Sequence, residues 1–157
     1  MNDLEAFGVE VGKGNYGEES FYGLVLTYTL LFDQVADYLD AYGLTPAKMN
    51  VLMVIKHQGG EQGLSQREIG KWLLVTASNM TRLLDKLERE GLITRGGMAG
   101  DKRVKLIRVT AKASHLLDRA WPGYMKTIIC AMNVLSPADQ KILSAMLQRL
   151  VQALKAP

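Results

Sequence analysis

A mainly α fold with a small β-hairpin is predicted by three features of the 157-residue sequence. Apolar residues recur at steps of three and four through most of the chain, as on the buried stripe of a helix. Ser or Thr stands at several helix starts, and at Thr45-Pro46 and Ser136-Pro137 proline follows directly. Only between residues 92 and 109 does the pattern change, to β-rich runs around a glycine-bounded turn.

Taken in order, residues 1–17 contain Gly8, Gly12, Gly14 and Gly17 without sustained periodicity, so a flexible N-terminal arm is expected. From Glu18 to Tyr42, Phe21, Leu24, Val25, Tyr28, Leu31, Phe32, Val35 and Leu39 mark a long amphipathic helix that Gly43 stops. Thr45 caps a second helix carrying Met49, Leu52 and Met53, which ends at "HQGGEQG". Ser65 and Glu68 form a capping box, with Leu64 and Ile69 as its hydrophobic staple, and start a short third helix. Val75 and Thr76 restart a helix that runs to about Glu90, buries Met80, Leu83, Leu84 and Leu87, and ends at Gly91.

Two helices joined by a short turn, the second with a polar and basic outer face, read as a helix-turn-helix. Directly after it, "LITRG" and "RVKLIRV" flank "GMAGDK" as a hairpin. Alternation in the second run gives Val104 and Leu106 to an apolar face and Arg103 and Lys105 to a basic one. That phase slips at Leu106–Ile107, where a bulge or strand end is expected. Thr110 caps a fifth helix with Leu116, Leu117, Trp121, Met125, Ile128 and Ile129, which Pro122 should kink. Ser136 caps the last helix, whose stripe of Ile142, Leu143, Met146, Leu147, Leu150, Val151 and Leu154 is broad for a chain terminus.

Bulk properties narrow the function. The longest apolar run, residues 23–32, is far shorter than the roughly 20 residues of a membrane span, and no secretory leader is visible, so a cytoplasmic protein without membrane contact is expected. Cys130 is the only cysteine, and His57 and His115 lack ligand spacing, so no metal or cofactor is expected. No nucleophile–base pair, carboxylate pair or phosphate-cradling loop stands out, which argues against an enzyme. Charge is unevenly placed: residues 65–110 carry ten Lys/Arg against five acids, whereas residues 1–44 carry Lys13 against eight acids. A basic middle of this kind suits a polyanion.

The stretch "LDKLEREGLITRGGMAGDKRVKLIRVT" at 84–110 joins a helix ending in Glu-x-x-Gly-Leu-Ile to a hairpin carrying Asp101-x-Arg103, and "LSPADQ" precedes the last helix. In these motifs and in element order, roughly residues 18–155 resemble the MarR family of winged-helix transcription regulators. The resemblance implies a winged helix-turn-helix with N- and C-terminal dimerisation helices. Residues 45–110 would be the DNA-binding lobe, and 18–44 with 111–157 the helical dimerisation region. It implies a homodimer that lays a recognition helix in the major groove and a wing along the minor groove of double-stranded DNA, most often as a ligand-responsive repressor on a pseudo-palindromic operator.

Ser78, Asn79, Thr81 and Arg82, with Lys86 a turn later, occupy the part of the recognition helix that reaches DNA, since Asn can pair with adenine and Arg with guanine. In the wing, the resemblance makes Arg103 the groove-entering side chain, aimed by Asp101; an arginine so held loses less freedom in a narrow, electronegative groove. Lys102 and Lys105, with Arg89 and Arg108, face phosphate or solvent in this reading. Relatives hold small aromatic or phenolic effectors between the dimer helices and the DNA-binding lobe, which makes Tyr28, Tyr38 and Trp121 candidate ligand contacts, against core or dimer packing as the plainer account. A winged-helix module for protein contacts alone, or a redox-responsive regulator acting through Cys130, are the alternatives.

Overall fold

The computed structural model describes residues 4–73, 77–98 and 101–155, with the side chains of residues 7, 77, 78, 98 and 101–104 outside the description. Its helices are α1 (Tyr16–Asp40), α2 (Pro46–Val54), α3 (Gln66–Trp72), α4 (Ala77–Arg89), α5 (Ala111–Met132) and α6 (Pro137–Lys155). Three strands, β1 (Leu64–Ser65), β2 (Ile93–Met98) and β3 (Asp101–Val109), form one antiparallel sheet in the order β1-β3-β2. None of the described helices is long and apolar enough to cross a membrane.

The starts follow the caps. Thr45, Ser65, Thr110 and Ser136 each accept a backbone N–H three residues on, satisfying a donor that the first turn leaves over. At Ser65 the capping box closes in both directions, and the serine's backbone N–H and hydroxyl hold the Glu68 carboxyl below its ordinary value. The first long helix begins earlier than its apolar stripe, at Tyr16, because the Asn15 side chain accepts the Glu18 N–H. Upstream, residues 5–7 make a single 3-10 turn and Val9 is buried. At the end of α2 the chain passes into a π-turn at Ile55–Gly59. The expected cap at Val75–Thr76 lies outside the described residues.

The hairpin differs from expectation in phase. Pairing runs without a break from Ile93↔Val109 to Gly97↔Lys105, and the register shift falls between Gly97 and Met98, not at Leu106–Ile107. The two adjacent apolar residues exist because β3 is the central strand: Leu64 pairs with Ile107 and Ser65 with Leu106. Ile107, only 2% exposed, anchors the strand in the core on the face it shares with Lys105, while Leu106 is half-buried on the other. The β1–β3 approach is close enough to exclude any side chain at Gly63, where a Cβ would meet the Ile107 carbonyl oxygen at 2.6 Å and φ is +80°.

One core runs through the lobe and into the long helices: Leu39, Met49, Leu52, Ile55, Ile69, Leu84, Leu87, Ile93, Ile107 and Leu117 are all buried in it. Where α1 meets α5, Tyr38 lies over Gly123, and a Cβ at that glycine would overlap the phenol ring and hydroxyl. The tyrosine is held there, its hydroxyl donating to the Ala120 carbonyl at 3.0 Å. Gly123→Ala is therefore expected to cost about 1–3 kcal/mol, as overpacking typically does, and to cost almost nothing once Tyr38 is replaced by Leu. Denaturant unfolding of the two single variants and the double variant measures this; equal cost in both backgrounds would disprove the steric contact.

Candidate nucleic-acid interface

Helix α4 presents two unlike faces. Met80, Leu84 and Leu87 are buried, and on the far side Asn79, Thr81, Arg82, Lys86 and Arg89 are exposed. Asn79, Arg82, Lys86 and Arg89 recur at steps of three and four, so they form one continuous polar and basic ridge. Thr81 lies on the flank toward α3, where the Gln66 amide donates to its hydroxyl at 2.7 Å and ties the two helices together. Of the recognition-helix candidates, the structure thus gathers Asn79, Thr81, Arg82 and Lys86 on the exposed side of one helix. The side chain of Ser78 lies outside the described residues.

In the hairpin, the backbone of β3 runs from Asp101 and Lys105 is exposed. The side chains of Asp101, Lys102 and Arg103 lie outside the described residues, so the expected Asp101–Arg103 pairing does too. Arg108 leaves the set of solvent- or phosphate-facing cations. It is half-buried, and its Nε donates to the Glu61 carbonyl at 2.9 Å, which fastens the base of the hairpin to the turn that follows the π-turn. Arg89 bends back, its Nε donating to the Asp85 carbonyl.

Three ion pairs that the sequence reading did not identify hold this surface. From β2, Arg95 reaches Asp85 at 2.6 Å and Glu88 at 2.9 Å on α4. From α2, the Lys48 ammonium meets the Glu90 carboxylate at 2.7 Å and donates to the Gly43 carbonyl at 3.1 Å, joining the ends of α1 and α4. The signal available in sequence was only charge, because each partner is chosen by how the chain turns between them.

The three candidate ligand aromatics are not brought together. Tyr28 is exposed on α1 beside Phe32. Tyr38 is packed against α5, and the neighbouring Tyr42 hydroxyl and burial push its phenol above the ordinary range. Trp121 stacks on Tyr124 and lines a cleft of about 360 Å³ with Asn50, Met53 and Trp72. Trp72 and Tyr124 were not singled out from sequence, since aromatics at helical spacing read first as core. Cys130 is exposed on α5, and among the described residues no group of His, Cys, Asp and Glu side chains could hold a metal ion.

Comparison with known proteins follows the same surface. Residues 42–104, which hold the helix pair and most of the hairpin, match the model of the MarR family. The HTH-type transcriptional regulator MhqR of Bacillus subtilis (strain 168) is 30% identical over 129 residues, spanning 82% of this chain and 87% of that one. The HTH-type transcriptional repressor YetL of the same organism is 30% identical over 117 residues, 74% of this chain and 70% of its own. In fold, the chain is similar to the MarR family regulator Sco3205 from Streptomyces coelicolor, solved in complex with DNA, with a TM-score of 0.82 at 22% identity over 94% of this chain and 93% of the other.

Proposed function

The chain belongs to the MarR family of HTH-type transcriptional regulators, whose members are not enzymes, and from that membership we propose that it is a sequence-specific double-stranded-DNA-binding repressor. In this reading it acts as a homodimer on a pseudo-palindromic operator and answers to a small ligand. The observation that carries the DNA-binding reading is the exposed ridge Asn79–Arg82–Lys86 on a helix whose opposite face is buried, with the basic hairpin fastened beside it. A neighbour of this fold held on DNA supports the same use of the surface. Asn79 and Arg82 are assigned to base edges and Thr81, Ser78 and Lys86 to either bases or phosphates, with Lys102 and Lys105 on phosphates and Arg103, aimed by Asp101, in the minor groove.

Homodimerisation is supported by apolar surface with nothing over it in one protomer. Phe21, Leu24, Val25 and Tyr28 on α1 and Ile142, Met146, Leu150 and Leu154 on α6 are all more than 40% exposed. Contiguous apolar area of that kind is rare on a monomer and marks an interface. Two-fold symmetry then places two copies of α4 about one helical turn of DNA apart. The repressor assignment is supported by the likeness to YetL. For the ligand, the Trp121 cleft supports a small aromatic effector, whereas Tyr28 and Tyr38 are better accounted for by surface and packing roles.

The test is fluorescence anisotropy on a labelled duplex taken from upstream of the protein's own gene, at two salt concentrations. The wild type is expected to bind and to lose affinity steeply as salt rises, because phosphate contacts release counterions. Arg103→Ala is expected to weaken binding by about 1–3 kcal/mol, the usual worth of a groove-reading arginine, with thermal unfolding nearly unchanged. Salt-insensitive or absent binding would return the protein to the protein-contact alternative, and an unaltered Arg103→Ala affinity would remove the wing from the interface.

A further inference from the structure

We infer that Arg95 is a positioning residue for DNA binding, acting through the two carboxylates of α4 and not by touching DNA itself. The inference rests on the reading of α4 as the DNA-facing helix. Its guanidinium leaves β2 and spans two acids one turn apart, with Nη2 at 2.6 Å from Asp85 Oδ1 and Nη1 at 2.9 Å from Glu88 Oε2. A planar fork can serve two carboxylates at once, which the single ammonium of lysine cannot do with the same geometry.

The need for such a clip follows from the charge order of α4. Its outer half interleaves Arg82, Lys86 and Arg89 with Asp85 and Glu88. The acids are 48% and 41% exposed, so neither is withdrawn from the surface that would meet a phosphate backbone. Repulsion between carboxylate and phosphate reaches about 8 Å at physiological ionic strength, so both acids would oppose docking if left unneutralised. Arg95 is itself only 21% exposed and both terminal nitrogens are engaged, so its charge is directed at the acids and not outward. The clip runs between the helix and the hairpin. Gly91 and Leu92 turn the chain between them, and Arg95 closes that turn back onto residues seven and ten positions earlier.

The experiment uses the full-length protein and the upstream duplex named above. Arg95→Met keeps the apolar stem and removes the charge; its affinity is expected to fall about tenfold or more, equivalent to about 1.4 kcal/mol. Adding Asp85→Asn and Glu88→Gln to it is expected to recover affinity to within about threefold of wild type, because the carboxylates that needed neutralising are gone. A direct phosphate contact, or a strut that only holds the hairpin, would not be restored by neutral side chains, so a triple variant as weak as Arg95→Met overturns the inference. So does an Arg95→Met protein that binds like wild type. Should Arg95→Met fail to fold, Arg95→Lys with and without Asp85→Asn carries the same comparison: an affinity loss that the second substitution reverses supports the clip, and a loss that persists overturns it. A wild type with no salt-sensitive binding would instead defeat the DNA-binding reading, and this inference with it.

Discussion

Leu150→Asp is expected to convert the protein to monomers at micromolar concentration and to abolish high-affinity operator binding. Within one protomer Leu150 is 51% exposed and α6 has no buried residue at all, so the substitution removes little packing from the chain's own core. In a two-fold dimer the change appears twice, and each new carboxylate would enter an apolar seam without a partner, at a cost of several kcal/mol. Sedimentation would report the loss as a halved mass, and far-UV circular dichroism separates it from unfolding. The loss of DNA binding follows from geometry: a lone α4 reaches one half-site, and the gain of about 10²–10⁴ that linkage of two reading heads provides disappears. A variant that stays dimeric would place the subunit contact elsewhere than on α6.

That expectation is sharpened by how little else α6 does. Its cap is sound, with Ser136 accepting the Asp139 N–H at 3.2 Å, and Gln140 donates to the carbonyls of Met132 and Leu135 to fix the turn from α5. Beyond this turn Leu143 and Leu147 are half-buried, whereas Ile142, Met146, Leu150, Val151 and Leu154 are exposed. In the proposed homodimer a second copy would cover the exposed part of that stripe, as contiguous apolar surface of this kind favours.

The sequence was most informative where the physics is local. Thr45, Ser65, Thr110 and Ser136 each announce a helix because a cap satisfies a donor within three residues, and all four act as read. The outward face of α4 was legible for the same reason, since its burial period lies within thirteen residues. Long-range choices were not. Strand β1 is two residues long and sits inside a capping motif, so nothing near Leu64 tells that it pairs with Ile107. Without it, Leu106–Ile107 reads as a bulge or strand end, when it lies in the central strand of the sheet with Ile107 buried and Leu106 half-buried. Arg108 and Arg95 looked alike in a charge count, yet one is tied to the Glu61 carbonyl and the other to two carboxylates. Tyr38 became a candidate ligand contact through the family resemblance, with packing as the plainer account; Gly123, which makes room for it against α5, is 85 residues away in the chain.

The ion pair between Lys48 and Glu90 should show an asymmetry that exposes what it does. The lysine side chain is 7% exposed and the glutamate 33%. Glu90→Leu strands an ammonium that cannot reach water and keeps only the Gly43 carbonyl, so a loss of about 3–5 kcal/mol is expected, as for other broken buried pairs. Lys48→Met leaves a carboxylate that can turn to solvent, and should cost distinctly less. The double variant Lys48→Met/Glu90→Leu is expected to recover most of the loss, because two apolar side chains of similar volume no longer require desolvated charge. Denaturant unfolding of the four proteins gives the cycle directly, and equal costs for the two single substitutions would contradict the burial argument. DNA binding separates a second role from stability. From α2, Lys48 ties Gly43, just after α1, to Glu90, just after α4. A double variant restored in stability yet weakened on DNA would mean that this contact also sets the angle at which the dimer presents α4, since an apolar pair can fill the space without fixing a direction.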